Sequence, residues 1–494
     1  MFSNVVSVKV DQILLKLCAL GLLAGCGGGG SSEPVVISTP VPVTSSAPAV
    51  KPLFDENPLV LYDAVSYYAD QCDRPQVSFV VPLDINVDNY KDFVVHLWCE
   101  RPYETWGEHY EGVTPDLLVA YVSDDYGNYR IENKAVFGES YPRLNGASRK
   151  YAVGDLNSDG IDDIAFALNR EDGRGYDDYT TNLSTQAVLL SSTATFDVSY
   201  EIYSVGAPTW AHAVDIVDNT VIFAGFMENA VQAFRFDGLD WNDVTDEYPA
   251  TPHWANTFRF AGSNRIVASD YKEDGSAQGM SMYVKGEQWE LADSAWVPID
   301  RVIPFITYNH EESFADIVKL NGQEYFGLGV DELCVNNDIL VVKLSGAQTQ
   351  DGVILDGVLY HQNDLVPVNM LEVFDISDNQ FNHMPNAIPE QNKISNFNFF
   401  SCNDINNDGY FDIVQNTFSN ADNMKGGVPE IYVNNGNNVL YTYDTSEFPV
   451  LVNDDNAQGY LEDINYDGLV DMVLMPLKAG YTDIEIYTTT DYIE

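Results

Sequence analysis

Four stretches of this chain gather carboxylates where a folding chain should keep them apart. Residues 152–167 read AVGDLNSDGIDDIAFA, crowding Asp155, Asn157, Asp159, Asp162 and Asp163 between two apolar runs. Residues 79–97 read FVVPLDINVDNYKDFVVHL, residues 399–414 read FFSCNDINNDGYFDIV, and residues 459–474 read GYLEDINYDGLVDMVL. Asp stands at positions 1, 5 and 9 of each, Asn at position 3, and Gly or Asn at position 6. A hard cation such as calcium takes about six to eight oxygens at short range. Side chains at positions 1, 3 and 5 converge only if the backbone coils tightly, and Gly at position 6 permits that turn. Asn89 fills this slot in the first copy, Asn being the next best residue at positive φ. Position 7 contributes a main-chain carbonyl and position 9 a last carboxylate. The expected ligand sets are Asp84, Asn86, Asp88, Tyr90 and Asp92; Asp155, Asn157, Asp159, Ile161 and Asp163; Asp404, Asn406, Asp408, Tyr410 and Asp412; and Asp463, Asn465, Asp467, Leu469 and Asp471. Up to four Ca2+ ions then supply the counter-charge that makes each bend tolerable. The plain alternative for each loop is a solvated, Asx-rich hairpin turn without metal.

An EF-hand needs Glu at position 12 and helices on both sides. Here IAFAL, FVVHLW, DIVQN and DMVLM follow the loops, so each loop joins two β-strands. Three weaker cousins lie between the strong copies: 212–226 keeps Asp215, 256–271 keeps only a hairpin pattern, and 313–330 keeps Asp316 and a turn at Asn321-Gly322. A second strand pair follows most copies, as at 116–138, 186–205, 229–245 and 430–446. No stretch has a helical period. Seven four-stranded units in an all-β chain predict a seven-bladed β-propeller of antiparallel blades.

At this point the chain resembles the FG-GAP/VCBS repeat family, the calcium-loop propellers of integrin α-chain heads and many exported bacterial proteins. The resemblance runs from about residue 55 to the end, strongly in four repeats and weakly in three. It implies a propeller over 55–494 whose usual role is binding. The last unit has its metal hairpin and one further strand at 483–490, so PLVLYDAV at 58–65 is expected to supply the missing outer strand and close the ring. Closure makes units six, seven, one and two consecutive, with the cations along one arc of one face.

The start of the chain reads as an address. Lys9 and Lys16 flank a mixed stretch, and LCALGLLAGC is too short to span a bilayer. Leu23-Ala24-Gly25-Cys26 resembles the lipobox of bacterial lipoproteins, which implies cleavage before Cys26, lipidation of Cys26, and, with Gly27 following, the outer membrane. An ordinary cleaved signal is the alternative. Residues 27–54 are Gly/Ser-rich, then Pro-rich, and read as a tether. Cys72, Cys99, Cys334 and Cys402 remain for the folded part; Cys72–Cys99 and Cys334–Cys402 are the expected disulfides, and free buried thiols the alternative.

The 494 residues carry a formal net charge of -51 with 45% hydrophobic residues, enough for a core and hostile to nucleic acid and anionic surfaces. On the face opposite the acidic loops, the inner strands of units two to five bring Arg149 and Lys150, Trp210 and His212, His253 and Trp254, then His310, Glu311 and Glu312 toward the channel mouth, with Arg259 slightly further along. Aromatic and cationic groups together suit a sugar, especially an acidic one; scattered rim residues and core Trp are the alternative. Two main readings follow: a non-enzymatic binding or adhesion module for a glycan or envelope protein, and a carbohydrate-active enzyme of the polysaccharide lyase type using His212, His253, Arg259 and His310. A scaffold subunit of an envelope assembly is a third. No nucleophile triad, diagnostic carboxylate pair or cofactor motif is present, and binding is favoured.

Overall fold

The computed structural model describes residues 51–62, 67, 75–99, 116–137, 143–144, 147–169, 186–190, 201–204, 210–226, 231–249, 257–271, 276–306, 312–320, 322–355, 358–385, 387–388, 399–406, 408–416, 430–434, 436, 440–445, 448–451, 457–476 and 483–493. Its strands run antiparallel except where Tyr360–His361 lies parallel to Phe305–Ile306. The architecture is a β-propeller arrangement of four-stranded sheets. One sheet orders Ala147–Gly154, Asp163–Asn169, Gln186–Leu190 and Glu201–Ser204. A second orders Trp210–Val217, Thr220–Phe226, Val231–Phe236 and Trp241–Asp243. A third orders Phe399–Asn403, Asp412–Asn416, Glu430–Asn434 and Leu440–Thr442. Pro75–Leu83, Asp92–Cys99, Asp116–Val122 and Arg130–Ile131 form a path of the same kind, to which Arg143–Leu144 adds a fifth strand.

The fourth separate four-stranded sheet closes the chain on itself. Ala457–Glu462, Asp471–Pro476 and Ile484–Tyr487 take Leu59–Leu61 as their outer strand, Leu61 pairing with Ile484. Leu61 is fully buried in one cluster with Ile484, Ile486, Phe93 and Val119. The expected closing strand is therefore present. A further pairing, Lys51–Phe54 with Thr489–Ile493, reaches into the segment assigned to the tether, whose boundary at 54 lies four residues too late.

Second strands such as Asp471–Pro476 are buried along their whole length because neighbouring sheets cover both faces. That is why they read as continuous apolar runs rather than alternating ones. The core is accordingly a series of clusters between adjacent sheets. Val81, Val94 and Leu118 meet Ile164 and Phe166 in one; Ala165 and Leu156 meet Val214, Val221 and Phe223 in the next.

Units four and five depart from expectation. They are joined in one 10-stranded sheet instead of two separate ones. The cause is strand length. Trp289–Ile306 pairs with Ala277–Lys285 through its first half and with Glu312–Leu320 through its second. Gln323–Asn336 likewise pairs first with Glu312–Leu320, then with Ile339–Thr349. The hairpin at 313–330 is an added one that serves two clusters: Ile317 and Phe326 pack with Ile303 and Ile354, while Val318 and Tyr325 join the main core. The hairpin after it turns at Asn337, at φ 51. There Leu328, Val330, Leu340 and Val342 pack with Val267, Met280 and Met282. The described residues thus hold four separate four-stranded sheets, a five-stranded one and this merged sheet, where seven separate blades were expected.

Cys334 and Cys402 form the expected disulfide, with Cα atoms 6.1 Å apart, tying Gln323–Asn336 to Phe399–Asn403. The Cys72–Cys99 pairing, the lipobox at Cys26 and the tether as far as residue 50 fall outside the described residues. The described residues include one α-helix, Asn133–Phe137, and none long and apolar enough to cross a membrane.

Candidate functional site

Each acidic loop links the first and second strands of its sheet, and all four repeat one set of hydrogen bonds. The position-5 N–H donates to the Asn oxygen at position 3: Asp88 to Asn86 at 3.1 Å, Asp159 to Asn157 at 3.0 Å, Asp408 to Asn406 at 3.3 Å and Asp467 to Asn465 at 3.1 Å. The position-7 N–H donates to the position-5 carboxylate, from Tyr90, Ile161, Tyr410 and Leu469 at 2.7, 2.9, 2.9 and 2.8 Å. The glycine N–H at position 6 reaches the position-1 carboxylate in three copies: Gly160 to Asp155 at 2.9 Å, Gly409 to Asp404 at 2.8 Å and Gly468 to Asp463 at 3.1 Å. These bonds draw the side chains of positions 1, 3 and 5 together, and in three copies the Asn Nδ2 also donates to the position-5 Oδ2, from Asn86, Asn406 and Asn465 at 2.9, 3.1 and 2.9 Å.

The first copy differs because it lacks the glycine. Asn89, expected at positive φ, is not among the left-handed residues. The coil is taken up at Val87, at φ 55, whose N–H donates to Asp84 Oδ1 at 2.6 Å. Position 4 is left-handed in other copies too, at Ser158 (φ 60) and Tyr466 (φ 55), beside Gly160 and Gly468 at φ 86 and 84. The sequence reading missed position 4, because Val, Ser and Tyr share no side-chain signal for that conformation.

Position 9 does more than the spacing suggested. Asp92, Asp163, Asp412 and Asp471 are completely buried. In each, Oδ2 accepts the N–H of position 2: Ile85 at 2.7 Å, Leu156 at 2.7 Å, Ile405 at 3.0 Å and Ile464 at 2.9 Å. In three, Oδ1 accepts an N–H at or just beyond the end of the third strand: Ser123 at 2.8 Å, Asn434 at 2.8 Å and Thr489 at 2.7 Å. One carboxylate thereby ties the loop to the rest of its sheet. Burial pushes the carboxyls of Asp92, Asp412 and Asp471 up to about 7, against the pull of those N–H donors. Burial, then the charges of Asp162 and Asp88, also raise Asp84, although the Val87 N–H works against them.

Among the described residues no three His, Cys, Asp or Glu side chains form a metal-holding group by themselves. The donor sets here are mixed, with an amide oxygen at position 3 and a main-chain carbonyl at position 7. One observation fits a cation directly: Asp463 Oδ1, at position 1 of the last copy, is a buried carboxylate oxygen with no hydrogen-bond partner. A desolvated anionic oxygen of this kind is costly unless a positive group meets it.

The residues expected on the opposite face are brought together only in part. His253, Trp254, His310 and Glu311 lie outside the described residues, as do the side chains of Arg149, Trp210 and His212. Glu312 opens its strand and is exposed. Lys150 is partly buried with its Nζ atom fully so, 3.1 Å from Glu332 Oε1, and Lys343 lies 2.7 Å from Asp331 and 3.5 Å from Glu332. Arg259 stands near enough to both Lys150 and Asp215 to act on their charge. Inner strands of successive sheets thus meet in a network of paired charges. Burial lowers the Lys150 ammonium although Glu332 lies alongside. The sequence reading found Lys150 and Arg259 but missed Asp331, Glu332 and Lys343, because no motif marks them and they lie beyond the 313–330 stretch it singled out. A separate cavity of about 840 Å³ lies on the added hairpin, lined by Lys319, Gln323, Gln348, Asp351 and Val366 among others.

No family model matches the chain, and no curated protein matches it. Solved structures with similar coordinates include a protein of unknown function from Dyadobacter fermentans (11% identity, 90% of this chain, 100% of that one, TM-score 0.39). Others are the exotype rhamnogalacturonan lyase YesX (10%, 84%, 72%, 0.35) and the β-propeller domain of the Trilobed protease from Pyrococcus furiosus (9%, 76%, 99%, 0.28). At such identities and TM-scores they carry nothing over to this chain's activity, ligands or partners.

Proposed function

We propose that this chain is a calcium-stabilised, seven-bladed propeller, held on a lipid-anchored tether at the outer membrane, that works as a non-enzymatic binding or adhesion module for a glycan or protein. The blade count is supported by the succession of apolar clusters, each shared by two neighbouring units, leading from the first unit round to the last. In this reading units four and five are two blades joined by overlong strands. Asp463, Asn465, Asp467 and Asp471, with the carbonyl of Leu469, would hold one ion, and the matching residues of the other three loops would hold theirs. The bound ion would supply counter-charge and nothing catalytic.

The observation that carries this reading is the unpartnered buried oxygen of Asp463, in a loop that shares its position-5 and position-7 hydrogen bonds with its three sisters. Binding is preferred to catalysis because two of the cationic groups on the inner strands are committed to structure. Lys150 is paired with Glu332, and Arg259 donates to the Phe258 carbonyl at 3.0 Å beside Asp215. The test is direct. Full-length protein at millimolar calcium is passed over immobilised acidic and neutral polysaccharides, with unsaturated uronate followed by ultraviolet absorbance. Retention without absorbance supports binding; a growing absorbance signal overturns it in favour of a lyase. For the anchor, Cys26→Ser should release the chain from membranes, and continued retention counts against lipidation.

A further inference from the structure

The loops of copies seven, one and two touch one another. The Lys91 N–H, at position 8 of copy one, donates to the Ile464 carbonyl of copy seven at 2.7 Å. The Asp162 N–H, at position 8 of copy two, donates to the Asp84 carbonyl at 3.4 Å, and the Asp84 N–H donates back to Asp162 Oδ2 at 3.0 Å. From the other side, the Tyr466 hydroxyl of copy seven lies 3.5 Å from Asp84 Oδ2. The Lys91 ammonium pairs with Glu462 and stands 5.8 Å from the centre of the Tyr466 ring. Asp84 is therefore held through its amide, its carbonyl and its carboxylate by residues of the loops on either side.

Position 8 lies outside the ligand pattern and varies freely, as Lys91, Asp162, Phe411 and Val470. A further carboxylate at Asp162, in a loop already rich in them, adds repulsion that the spacing does not call for. Its bond to the Asp84 N–H gives it a use across the loop boundary. Asp162 also sits between Ile161 and Asp163, the position-7 and position-9 donors of copy two, and Tyr466 sits between Asn465 and Asp467 of copy seven.

We propose that cation binding in copies seven, one and two is cooperative, transmitted through Asp84 by Asp162 and Tyr466 acting as positioning residues. The proposal rests on the calcium reading above. An ion that fixes Asp84 also fixes Asp162 and Tyr466, and with them the donors on either side. The next ion then enters a loop whose ordering cost has already been met, which gives positive coupling without any large movement. Coupling of this kind is reciprocal, so an ion in copy two or seven favours copy one by the same factor.

The experiment is calcium titration calorimetry on the full chain after chelator removal, with Asp88→Ala, Asp162→Ala, Asp162→Asn and Tyr466→Phe beside the unaltered protein. The unaltered chain should take up calcium with a Hill coefficient above one. Asp88→Ala, which empties copy one, should weaken uptake by its neighbours by about fivefold or more. The variant joining Asp162→Ala to Tyr466→Phe should keep the ion count and lose the cooperativity. Tyr466→Phe and Asp162→Asn alone change little else, so a partial loss in either supports the coupling even if the Ala variant folds poorly. Independent uptake by the unaltered chain, or cooperativity that survives the paired variant, overturns the coupling and leaves the calcium reading standing. No uptake at all overturns both.

Discussion

The position-9 aspartates decide how the acidic loops are built. Spacing marks each as an expected ligand, but nothing in it announces the bonds of Asp92, Asp412 and Asp471 to Ser123, Asn434 and Thr489. Those partners lie 31, 22 and 18 residues further on, with no fixed interval for a motif to hold. Two kinds of aspartate should therefore behave differently. Asp471→Ala leaves the N–H groups of Ile464 and Thr489 unsatisfied in the interior and should cost about 3 kcal/mol, with or without calcium. Asp467→Ala should leave the chelated protein's melting temperature nearly unchanged and remove part of the gain on adding calcium. Thermal melts in chelator and in calcium separate the two; equal losses in chelator would contradict the division. The same carboxyls set a pH dependence in chelator. Asp92, Asp412 and Asp471 keep their protons up to about 7 in the fold, against 3.8 as the ordinary value. The folded chain then binds more protons than the unfolded chain between those limits, so stability should fall as pH rises through that window. Asp412→Asn should flatten the fall, and an unchanged slope would show that other groups set it.

Hairpins were the most legible elements. The second strand pairs read from 116–138, 186–205, 229–245 and 430–446 are present as strands, because short turns flanked by continuous apolar runs leave little choice of pairing. The merged sheet was less legible for a related reason. Asn321-Gly322 is a strong turn signal in the sequence, and Leu320 does pair with Gln323 beside it, while Asn336-Asn337-Asp338 is a weaker signal and also marks a hairpin. Local turn chemistry cannot show how hairpins share a core: Val318 and Tyr325 beside the first turn and Leu340 and Val342 beyond the second pack in one cluster. The disulfide from this unit to the next belongs to the same scale. It encloses 68 residues of sequence separation, for which loop closure gives an upper figure of roughly 4 kcal/mol. Cys334→Ser together with Cys402→Ser should lower the melting temperature and reduce its sensitivity to reductant. A double variant that melts with the parent would show that the crosslink does not hold the two units.

At the scale of the molecule, what the sequence announced was repetition and closure. Four similar loops and a lone strand near the start were enough to expect a ring, and Leu59–Leu61 does complete the last sheet. What it did not announce was which sheets would merge, since overlong strands look like ordinary ones in a linear reading. Closure makes its own prediction. A chain beginning at residue 63 lacks both Leu59–Leu61 and Lys51–Phe54, exposes the edge of Ile484–Tyr487, and removes Leu61 from its cluster. It should melt well below the parent and aggregate on heating; equal stability would mean that the ring needs no such latch. The central claim concerns the cations, because a chain with a formal net charge of -51 needs something to hold its acidic bends together. Extracellular calcium sites commonly bind near 0.1–1 mM, and saturating a site a hundredfold contributes about 2.7 kcal/mol. The most direct measurement is calorimetric melting of the full chain in 10 mM calcium (roughly a hundredfold excess over the tighter end of that range) and in chelator. Four filled loops should raise the melting temperature by on the order of 10 °C. Coincident melting curves in calcium and in chelator would contradict the account.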